Sequence, residues 1–327
     1  MKKNKTYLSV SLSNRMISVI EGGYTDKFNL KKYFTINLDE GIIKNGCIYD
    51  KDALKDAFME GLKANRVKSK VVLCTFDSTE VLTREIDTVK LDNSNDLELL
   101  IKNEINKQLL INTNDFIIRY KHIETFKDGI NEKQRFFVSA MPKDMGEDFY
   151  NFFKSCRLKG KVLELSATAL ENLVSVTEDD NLTKGNVVIL ETTKTNVRVN
   201  ILKNGRIRFL RNIDLVSLEL GKEDFANYEK ITGANADYVT ASTKINKLTN
   251  DVGMIIKFYT SRNLGNGINK SYIYGYLSGY EKLIEELRDK TELQIEKMEI
   301  ADSMLNIEIE EKDKYYNNLG VLLNNLK

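Results

Sequence analysis

Two polar turns hold the side chains of this sequence that are best suited to contact a phosphate group. The first offers hydroxyl, amide and guanidinium groups, and the second a carboxylate, hydroxyls and an ammonium group; these residues are Ser11, Ser13, Asn14 and Arg15, then Glu191, Thr193, Lys194 and Thr195. A metal-bound triphosphate needs carboxylates and close backbone N–H groups more than scattered cations. The composition of the turns therefore favours solvated turn residues, with anion contacts as the alternative.

Histidine and cysteine, which supply many catalytic bases, nucleophiles and metal ligands, are scarce. The sequence has one histidine, His122, in a strand-like run, and three widely separated cysteines that form no C-x-x-C pair, Cys47, Cys74 and Cys156. A histidine-activated nucleophile would have to use His122, and a zinc site would lack ligands at the usual spacing. We interpret His122 as a partly exposed strand residue and the cysteines as small buried side chains in a reducing compartment. No catalytic residue and no metal site is expected.

Composition and charge are those of a chain with two domains of ordinary size. The 327 residues are 42% hydrophobic, and 49 basic residues against 48 acidic ones leave a net charge of +1. No overall field attracts nucleic acid or an anionic bilayer, so neither is an expected partner. The basic start is followed by no apolar run of signal-peptide length, and no stretch reaches the roughly 18 apolar residues of a membrane span. We expect a cytoplasmic protein without direct membrane insertion.

A small β-meander is predicted twice. Residues 7–23 and 186–205 each read as an apolar strand, a polar turn, an alternating strand and a glycine-containing hairpin. The hairpin residues are Gly22 with Gly23, and Asn204 with Gly205. The repetition predicts a duplicated α/β architecture.

Between the two meanders, the pattern predicts a helix, a buried strand and an insertion. Leu54, Phe58 and Leu62 fall on one helical face, and the nearly continuous apolar run 70–76 is typical of a strand buried on both faces. The stretch of about 78–160 then reads as a strand, a helix, two strands and a second helix. We interpret this stretch as an inserted subdomain.

Beyond the second meander, the sequence predicts three helices and a strand. The helices are an amphipathic one through Val252, Ile255, Ile256 and Tyr259, a charged one over 280–291 and a last one over 312–326; the strand covers 271–277. No stretch is of low complexity.

Collinear motifs in this order resemble those of a known family, the type IV pilus assembly protein PilM, an actin-like family related to the cell-division protein FtsA. The main motifs are VLTREIDTVKLDNSNDLELLIKNEINKQLL, FFVSAMPKDMGEDFYNFFKSCRLKGKVLELSATAL and NVVILETTKTNVRVNILKNGRIRFLRNI. The resemblance implies a duplicated actin-like ATPase fold of class α/β, in which two lobes flank a cleft and each has a mixed five-stranded sheet flanked by helices. It implies a first lobe over 1–185 with a small inserted α/β subdomain at about 78–160. The second lobe would cover 186–311, with a shortened subdomain over the cleft. A C-terminal helix over 312–327 would pack back on the first lobe.

The sequence departs from that family's pattern where a nucleotide would bind. The family's first phosphate loop, D-x-G-S-x-x-x-K, meets Ser11, Ser13 and Ser18 here, and its second, D-x-G, meets Glu191 and the β-branched Thr193. In the family pattern, the acidic group holds the water shell of the metal, and glycine lets the backbone approach phosphate. Glu191 is thus the one acidic residue left at these positions.

The glycine-rich turn that the family places under adenine is also reduced. Only Gly275 and Gly279 remain, among Tyr274, Tyr276 and Tyr280. Because three elements depart together, we expect no ATP hydrolysis and no cofactor, with magnesium–ATP as the minor alternative.

The resemblance also names a partner. Members of the family receive the N-terminal cytoplasmic tail of PilN, an inner-membrane protein, in a groove between the first lobe and the inserted subdomain. The matching residues here are Gln108, Leu109, Leu110 and Ile111, where the family commonly reads Y-I-P-F. Apolar residues at the end of a polar helix could line such a groove, or they could close the core of the inserted subdomain.

The expected function is therefore a cytoplasmic scaffold of type IV pilus assembly, peripheral to the inner membrane, that binds the tail of a PilN-like protein. Through that partner it would be linked indirectly to a PilO-like protein and the assembly ATPase. One alternative is an ATPase or kinase of the actin and sugar-kinase fold, with Glu191 as its acidic candidate. Another is an FtsA-like division protein, which would need a C-terminal amphipathic membrane helix, whereas the end of this sequence lacks a strongly basic face.

Overall fold

A computed structural model describes residues 5–91, 93–177, 179–230, 236–262 and 267–326. The first part of the chain forms β1 (Tyr7–Leu12), β2 (Met16–Tyr24), β3 (Phe28–Asn37), β4 (Ile43–Lys44), β5 (Cys47–Ile48), α1 (Lys51–Ala64) and β6 (Val71–Phe76). It continues with β7 (Leu82–Val89), α2 (Ser94–Leu109), β8 (Phe116–Asp128), β9 (Asn131–Pro142), α3 (Lys143–Ser155), β10 (Lys159–Leu165), α4 (Ser166–Val174) and α5 (Asp180–Thr183). The second part forms β11 (Asn186–Thr192), β12 (Asn196–Lys203), β13 (Arg206–Asp214), α6 (Lys222–Lys230), α7 (Ala236–Arg262), β14 (Lys270–Gly275), α8 (Glu281–Thr291), β15 (Ile295–Lys297) and α9 (Tyr316–Leu322), which 3-10 turns flank on both sides.

Both halves build the same mixed five-stranded sheet. The first sheet has the order β10-β6-β1-β2-β3, and the second has the order β13-β12-β11-β14-β15. In each sheet the three meander strands pair antiparallel, and two further strands extend the sheet in parallel from the first meander strand. The predicted duplicated α/β fold with two five-stranded lobes is confirmed.

The hairpins of the two meanders differ. In the second meander, Asn204 (φ 52°) and Gly205 (φ 70°) form the predicted tight turn, since both have the positive φ that such turns need. In the first meander the prediction is wrong, because Gly22 and Gly23 lie inside β2 and the chain turns only after it. A Cβ on Gly23 would lie 2.4 Å from the carbonyl oxygen of Lys5. Glycine here serves a close approach of two backbones.

Helix α1 packs on the first sheet with the apolar face that the sequence predicts. Leu54, Phe58 and Leu62 are buried in the core of the first lobe. The helix begins after Asp50, whose carboxylate accepts the backbone N–H of Ala53 at 2.9 Å. As predicted, β6 is a buried central strand, lying between β1 and β10.

The insertion has its own sheet and its own small core. β7, β9 and β8 form an antiparallel sheet, and Ile101 and Ile105 of α2 pack against Phe136 of that sheet. α3 follows the sheet, but its phenylalanines lie in the core of the first lobe. The sheet and α2 thus occupy residues 82–142, and the predicted limits of about 78–160 stay a prediction.

Two buried helices, α4 and α9, cross each other beside the first sheet. A Cβ on Gly320 of α9 would lie 2.0 Å from the carbonyl oxygen of Ala169 in α4. The amide nitrogen of Asn318 donates to the carbonyl oxygens of Ser9 at 3.2 Å and Ser18 at 3.0 Å. Close packing and hydrogen bonds therefore fix the C-terminal segment to the first sheet.

We expect Gly320→Ala to destabilise the protein by about 1–3 kcal/mol, because the added methyl group would force α4 and α9 apart. In an open helix the same change would stabilise by roughly 1 kcal/mol. Urea denaturation followed by circular dichroism measures the free energy of unfolding. Gly279→Ala is the control, since a Cβ there would meet no atom within 4 Å. An unchanged unfolding midpoint for Gly320→Ala would contradict the close crossing.

Candidate functional site

The two polar turns meet at a cleft of about 280 Å³ between the lobes. Of the predicted residues, the cleft is lined by Ser11, Ser13, Glu191, Thr193, Lys194 and Gly275, whereas Asn14, Arg15, Thr195 and Gly279 lie outside its lining. A further wall comes from the C-terminal segment, with Asp313, Lys314 and Asn317. The cleft therefore combines both lobes and the C-terminal segment.

The side chains of the first turn build the turn and its surroundings. Ser13 Oγ donates to a carbonyl oxygen of the same turn at 2.7 Å, and Asn14 Oδ1 accepts a backbone N–H between β4 and β5 at 3.3 Å. Arg15 forms an ion pair with the exposed Glu40 at 3.3 Å. Each of these three side chains has a partner within the protein.

The second turn is closed by its own hydroxyl group. Thr193 Oγ1 accepts the backbone N–H groups of Thr195 at 3.2 Å and Asn196 at 3.0 Å. Lys194 Nζ reaches across the cleft and donates to Asn37 Oδ1 on β3 at 3.0 Å. Partial burial, together with the charges of neighbouring cations, lowers the pKa of Lys194. Lys194 is thus a cation on the cleft wall that bridges the two lobes.

Glu191, the acidic candidate of the second turn, is held in a buried ion network. Its two oxygens accept hydrogen bonds, one from Arg198 Nη1 at 2.7 Å and one from Asn317 Nδ2 at 2.6 Å. The same guanidinium group also pairs with Asp77, which directly follows β6 in the first lobe. The side chains of Glu191 and Arg198 are only 2% and 3% exposed. Both oxygens of Glu191 therefore have partners within the protein, and the network joins both lobes to α9.

Burial and neighbouring charges shift the pKa values of Asp77, Arg198 and Tyr274. Burial raises the pKa of Asp77 to about 6, although the charge of Arg198 opposes the increase. Burial disfavours the charged form of Arg198, but Asp77 and Glu191 outweigh it and raise the pKa of Arg198. Burial and the charge of Glu191 also raise the pKa of Tyr274 well above its usual value. The Tyr274 hydroxyl beside the network is therefore neutral at physiological pH.

Gly275, on the far wall of the cleft, is required by the backbone. Its φ is 90°, and a Cβ there would lie 2.2 Å from the carbonyl oxygen of Thr192. Its N–H donates to Asp313 Oδ2 at 3.0 Å, and Ser278 Oγ donates to the same oxygen at 3.1 Å. A backbone donor that could face a phosphate is thus bound by a carboxylate of the C-terminal segment.

The remaining chemically active side chains lie apart from this cleft. Cys74 and Cys156 are buried and Cys47 is half-buried, and burial raises the pKa of all three thiols. His122 is exposed on β8. Within the described ranges, no three His, Cys, Asp or Glu side chains come together in a way that could hold a metal ion.

A second cavity, the β10 groove, opens between the first lobe and the inserted sheet and has a volume of about 560 Å³. Its walls come from β8, β9, β10 and α4; its apolar residues include Ile117, Met141, Val162, Leu163 and Leu165, and its cations are Arg119, Lys121 and Lys161. β10 is the edge strand of the first sheet and pairs with β6, while its outer edge pairs with no other strand in the described part of the chain. The groove thus places apolar walls beside an open backbone edge.

The four residues predicted to bind a partner tail lie at the end of α2, outside the lining of the β10 groove. Leu109 and Ile111 pack against the core of the inserted sheet, which was the alternative interpretation. Leu110 is 88% exposed and has a left-handed φ of 54°. Gln108 lines a different cavity, between the insertion and the second lobe. Partner binding by these residues stays a prediction.

The sequence pattern of the family described as "Type IV pilus assembly protein PilM" matches residues 9–317. The chain belongs to the type IV pilus assembly protein PilM family. A search of curated protein sequences finds no match. The predicted family resemblance is confirmed.

Solved structures similar to this PilM-family chain share its fold. One, described as "PilM-PilN type IV pilus biogenesis complex", is 14% identical, with a TM-score of 0.79 over 99% of this chain and 100% of that chain. A Bacteroides thetaiotaomicron protein with an actin-like ATPase fold and unknown function is 14% identical, with a TM-score of 0.53 over 99% and 97%. The ethanolamine utilization protein EutJ from Carboxydothermus hydrogenoformans is 10% identical, with a TM-score of 0.51 over 98% and 90%. These similarities show the actin-like ATPase fold. Among the helices that the structure describes, none has the length and apolar character to cross a membrane.

Arg198 and Asp77, in the buried ion network beside the cleft of this PilM-family chain, are the residues that sequence reasoning missed. Arg198 sits in the alternating run NVRVN, which does not reveal which face of the strand is buried. Asp77 follows the buried strand β6 directly. Since ligands and polar sites gather at the carboxyl ends of strands in α/β sheets, that position was the available signal.

We expect Asp77 to make a contribution to stability that is lost as the pH rises from about 4 to about 6, and Asp77→Asn to remove this part of the pH dependence. The unfolded chain releases the Asp77 proton near pH 4, whereas the folded protein retains it to a pH of about 6. Protonation of Asp77 therefore favours the folded state in this window, and the advantage is lost above it. Urea denaturation across the window, compared between wild type and Asp77→Asn, isolates the effect.

Asp39→Asn is the control for this prediction, because it removes an exposed carboxylate outside the ion network. It should keep the pH dependence of the wild type. If Asp77→Asn and wild type show the same pH dependence, Asp77 does not titrate in this window and the prediction is wrong.

Proposed function

We propose that this protein is a cytoplasmic scaffold of type IV pilus assembly that binds the N-terminal tail of a PilN-like inner-membrane protein in the β10 groove, without ATP hydrolysis. The observation that carries the proposal is the open edge of β10 beside the apolar walls of that groove. Through the tail, the scaffold would be connected to a PilO-like protein and to the assembly ATPase.

The shape of the β10 groove supports peptide binding. An extended peptide can add a strand to an open sheet edge, with backbone hydrogen bonds supplying affinity and side-chain pockets supplying specificity. β10 offers the edge, and Ile117 of β8 and Met141 of β9 offer apolar contacts opposite it. Ile117 is half-buried and belongs to none of the buried cores that the described residues form. The exposed part of its apolar surface is therefore available to a ligand.

Ion pairs hold the walls of the groove in place. Lys121 of β8 pairs with Glu171 of α4, which connects the inserted sheet to the first lobe. Glu171 also accepts hydrogen bonds from two groups of β13 in the second lobe, Arg206 Nη1 at 3.1 Å and the backbone N–H of Ile207 at 3.2 Å. A groove that is formed before binding spends less of its interaction energy on ordering.

A solved structure with this fold supports the choice of partner. It is described as a PilM–PilN complex and matches this chain over its whole length. At 14% identity that likeness concerns the fold, so the partner is part of our proposal for this chain.

Contacts in the interlobe cleft support a function without ATP hydrolysis. Glu191 is the candidate to hold the water shell of a magnesium ion, but Arg198 and Asn317 bind both its oxygens. Asp313 likewise occupies the N–H of Gly275. These residues do not fit magnesium–triphosphate unless a buried ion network is broken, which would leave charges unpaired at a cost of about 3–5 kcal/mol. We therefore propose that the scaffold needs no cofactor.

We expect a synthetic peptide with the sequence of the cognate PilN-like tail to bind with micromolar affinity or better in calorimetric titration. Ile117→Asp should weaken binding at least about tenfold, because it places a charge on the apolar wall of the groove. Leu110→Asp is the control, since Leu110 is exposed at the end of α2. Far-UV circular dichroism and thermal melting verify that both variants fold.

The pair of variants separates two sites for the tail. Loss of binding in Leu110→Asp alone would move the site to the end of α2, where sequence reasoning first put it. No binding of the tail peptide to the wild type would overturn the proposed function.

We expect the cleft not to bind magnesium–ATP, so that no magnesium-dependent ATP binding requires Lys194. Calorimetric titration of wild type and Lys194→Gln with ATP, with and without magnesium, tests this expectation. Lys31→Gln removes an exposed lysine of the same lobe as Asn37 and serves as the control. Magnesium-dependent binding that Lys194→Gln weakens but Lys31→Gln does not would make the cleft a nucleotide site and contradict a cofactor-free scaffold.

A further inference from the structure

A cavity of about 490 Å³ lies between the inserted sheet and the second lobe, and it shares no lining residue with the interlobe cleft. Its walls come from β7, the end of α2, β13 and the last turns of α7. Phe137 of β9 lines both this cavity and the β10 groove. We call it the arginine cavity, because arginines dominate its charged lining.

The arginine cavity carries an excess of positive charge. Its lining holds four arginines, Arg84, Arg208, Arg211 and Arg262, against one carboxylate, that of Glu85. Glu85 is already paired with Arg208, which also pairs with Glu124 at 3.2 Å. The other three arginines are exposed and make no ion pair within the ranges that the structure describes. Three guanidinium groups from β7, β13 and α7 thus share one cavity without counter-charge.

Aromatic rings support two of these arginines. The Arg262 guanidinium lies 4.3 Å from the centre of the Phe258 ring, and that of Arg211 lies 5.8 Å from the Phe209 ring. The two phenylalanine rings lie 6.3 Å apart and line the cavity together with Tyr259. A guanidinium group stacked on a ring keeps its N–H donors for a planar, bidentate anion such as phosphate. The rings themselves offer flat apolar surface for a planar ligand.

We infer that the arginine cavity binds a phosphate-bearing small molecule with a planar ring, that is, a ligand of the nucleotide class, at a site separate from the interlobe cleft. The cavity volume lies within the range of small-molecule sites, roughly 300–1,000 Å³. Arginines from three different elements converge on the cavity, which suits a compact anion better than an extended acidic peptide. Because arginines supply the positive charge, binding needs no metal ion.

The test is calorimetric titration of the full chain with ADP in the presence of EDTA. Inorganic pyrophosphate and a hexaglutamate peptide are titrated in parallel. We expect ADP to bind at one site per chain, more tightly than pyrophosphate, and hexaglutamate to bind more weakly than either. Arg262→Gln and Arg211→Gln should each weaken ADP binding about tenfold, the effect of one charge-assisted contact.

Lys257→Gln is the matched control, because Lys257 is exposed on α7 but lies outside the cavity lining. It removes the same charge from the same helix and should leave ADP binding unchanged. Both arginines are exposed, so their replacement leaves the buried cores intact. Thermal melting of each variant verifies this.

Four outcomes would overturn the inference. They are the absence of ADP binding, binding that Arg262→Gln and Arg211→Gln do not weaken, binding that Lys257→Gln weakens equally, and tighter binding of hexaglutamate than of ADP. The last would indicate an acidic protein segment as the ligand. A fifth contradicting outcome is the loss of ADP binding in Lys194→Gln, since that binding would belong to the interlobe cleft.

Discussion

The arrangement of the two lobes depends on one buried cation, Arg198. It lies between Glu191 of its own lobe and Asp77 of the other, with a side-chain exposure of 3%. Removing a charged group from water costs several kcal/mol, which only well-placed opposite charges can offset. The three side chains therefore stabilise the structure only when all are present and the lobes are at one separation. The ion network is a geometric constraint as well as a contact.

One turn of α9 extends this constraint to the rest of the molecule. Asn317 binds Glu191 in the second lobe, and the next residue, Asn318, binds Ser9 and Ser18 in the first sheet. Two consecutive amide side chains thus tie the C-terminal segment to both lobes. The apolar core around α4 and α9 also includes strand residues from both sheets, so the lobes share one core. A change of the cleft would have to break polar and apolar contacts together.

Sequence patterns predicted the architecture well because buried strands and helix faces produce a clear hydrophobic periodicity in the sequence. The apolar runs of β6 and β11 and the helical phase of α1 gave elements that the structure confirms. Gly22 and Gly23 were wrongly assigned to a turn, because a single sequence does not distinguish a turn glycine from one that permits two backbones to approach. The pairing of Arg198 with Asp77 leaves no trace in the local sequence pattern. Arg198 and Asp77 are far apart in the chain, and only the fold brings them together.

The two proposed binding surfaces were harder to predict than the cleft for a related reason. The sequence indicates which residues are apolar, but the free edge of a strand is a property of the sheet. β10 becomes a peptide-sized edge only because β6 pairs with its other side and the inserted sheet stands opposite. Similarly, the arginines of the second cavity come from strands and a helix that are distant in sequence.

The ion network and the β10 groove are connected through β6. Asp77 directly follows β6, and β10 pairs with β6 up to the register of Leu165 with Phe76, the residue before Asp77. The position of the groove's edge strand is therefore set by a strand whose end is held by Arg198. In the scaffold that we propose, Arg198 supplies a positive charge beside Asp77 from within the protein, so the docking edge of β10 would need no bound cofactor to be in place.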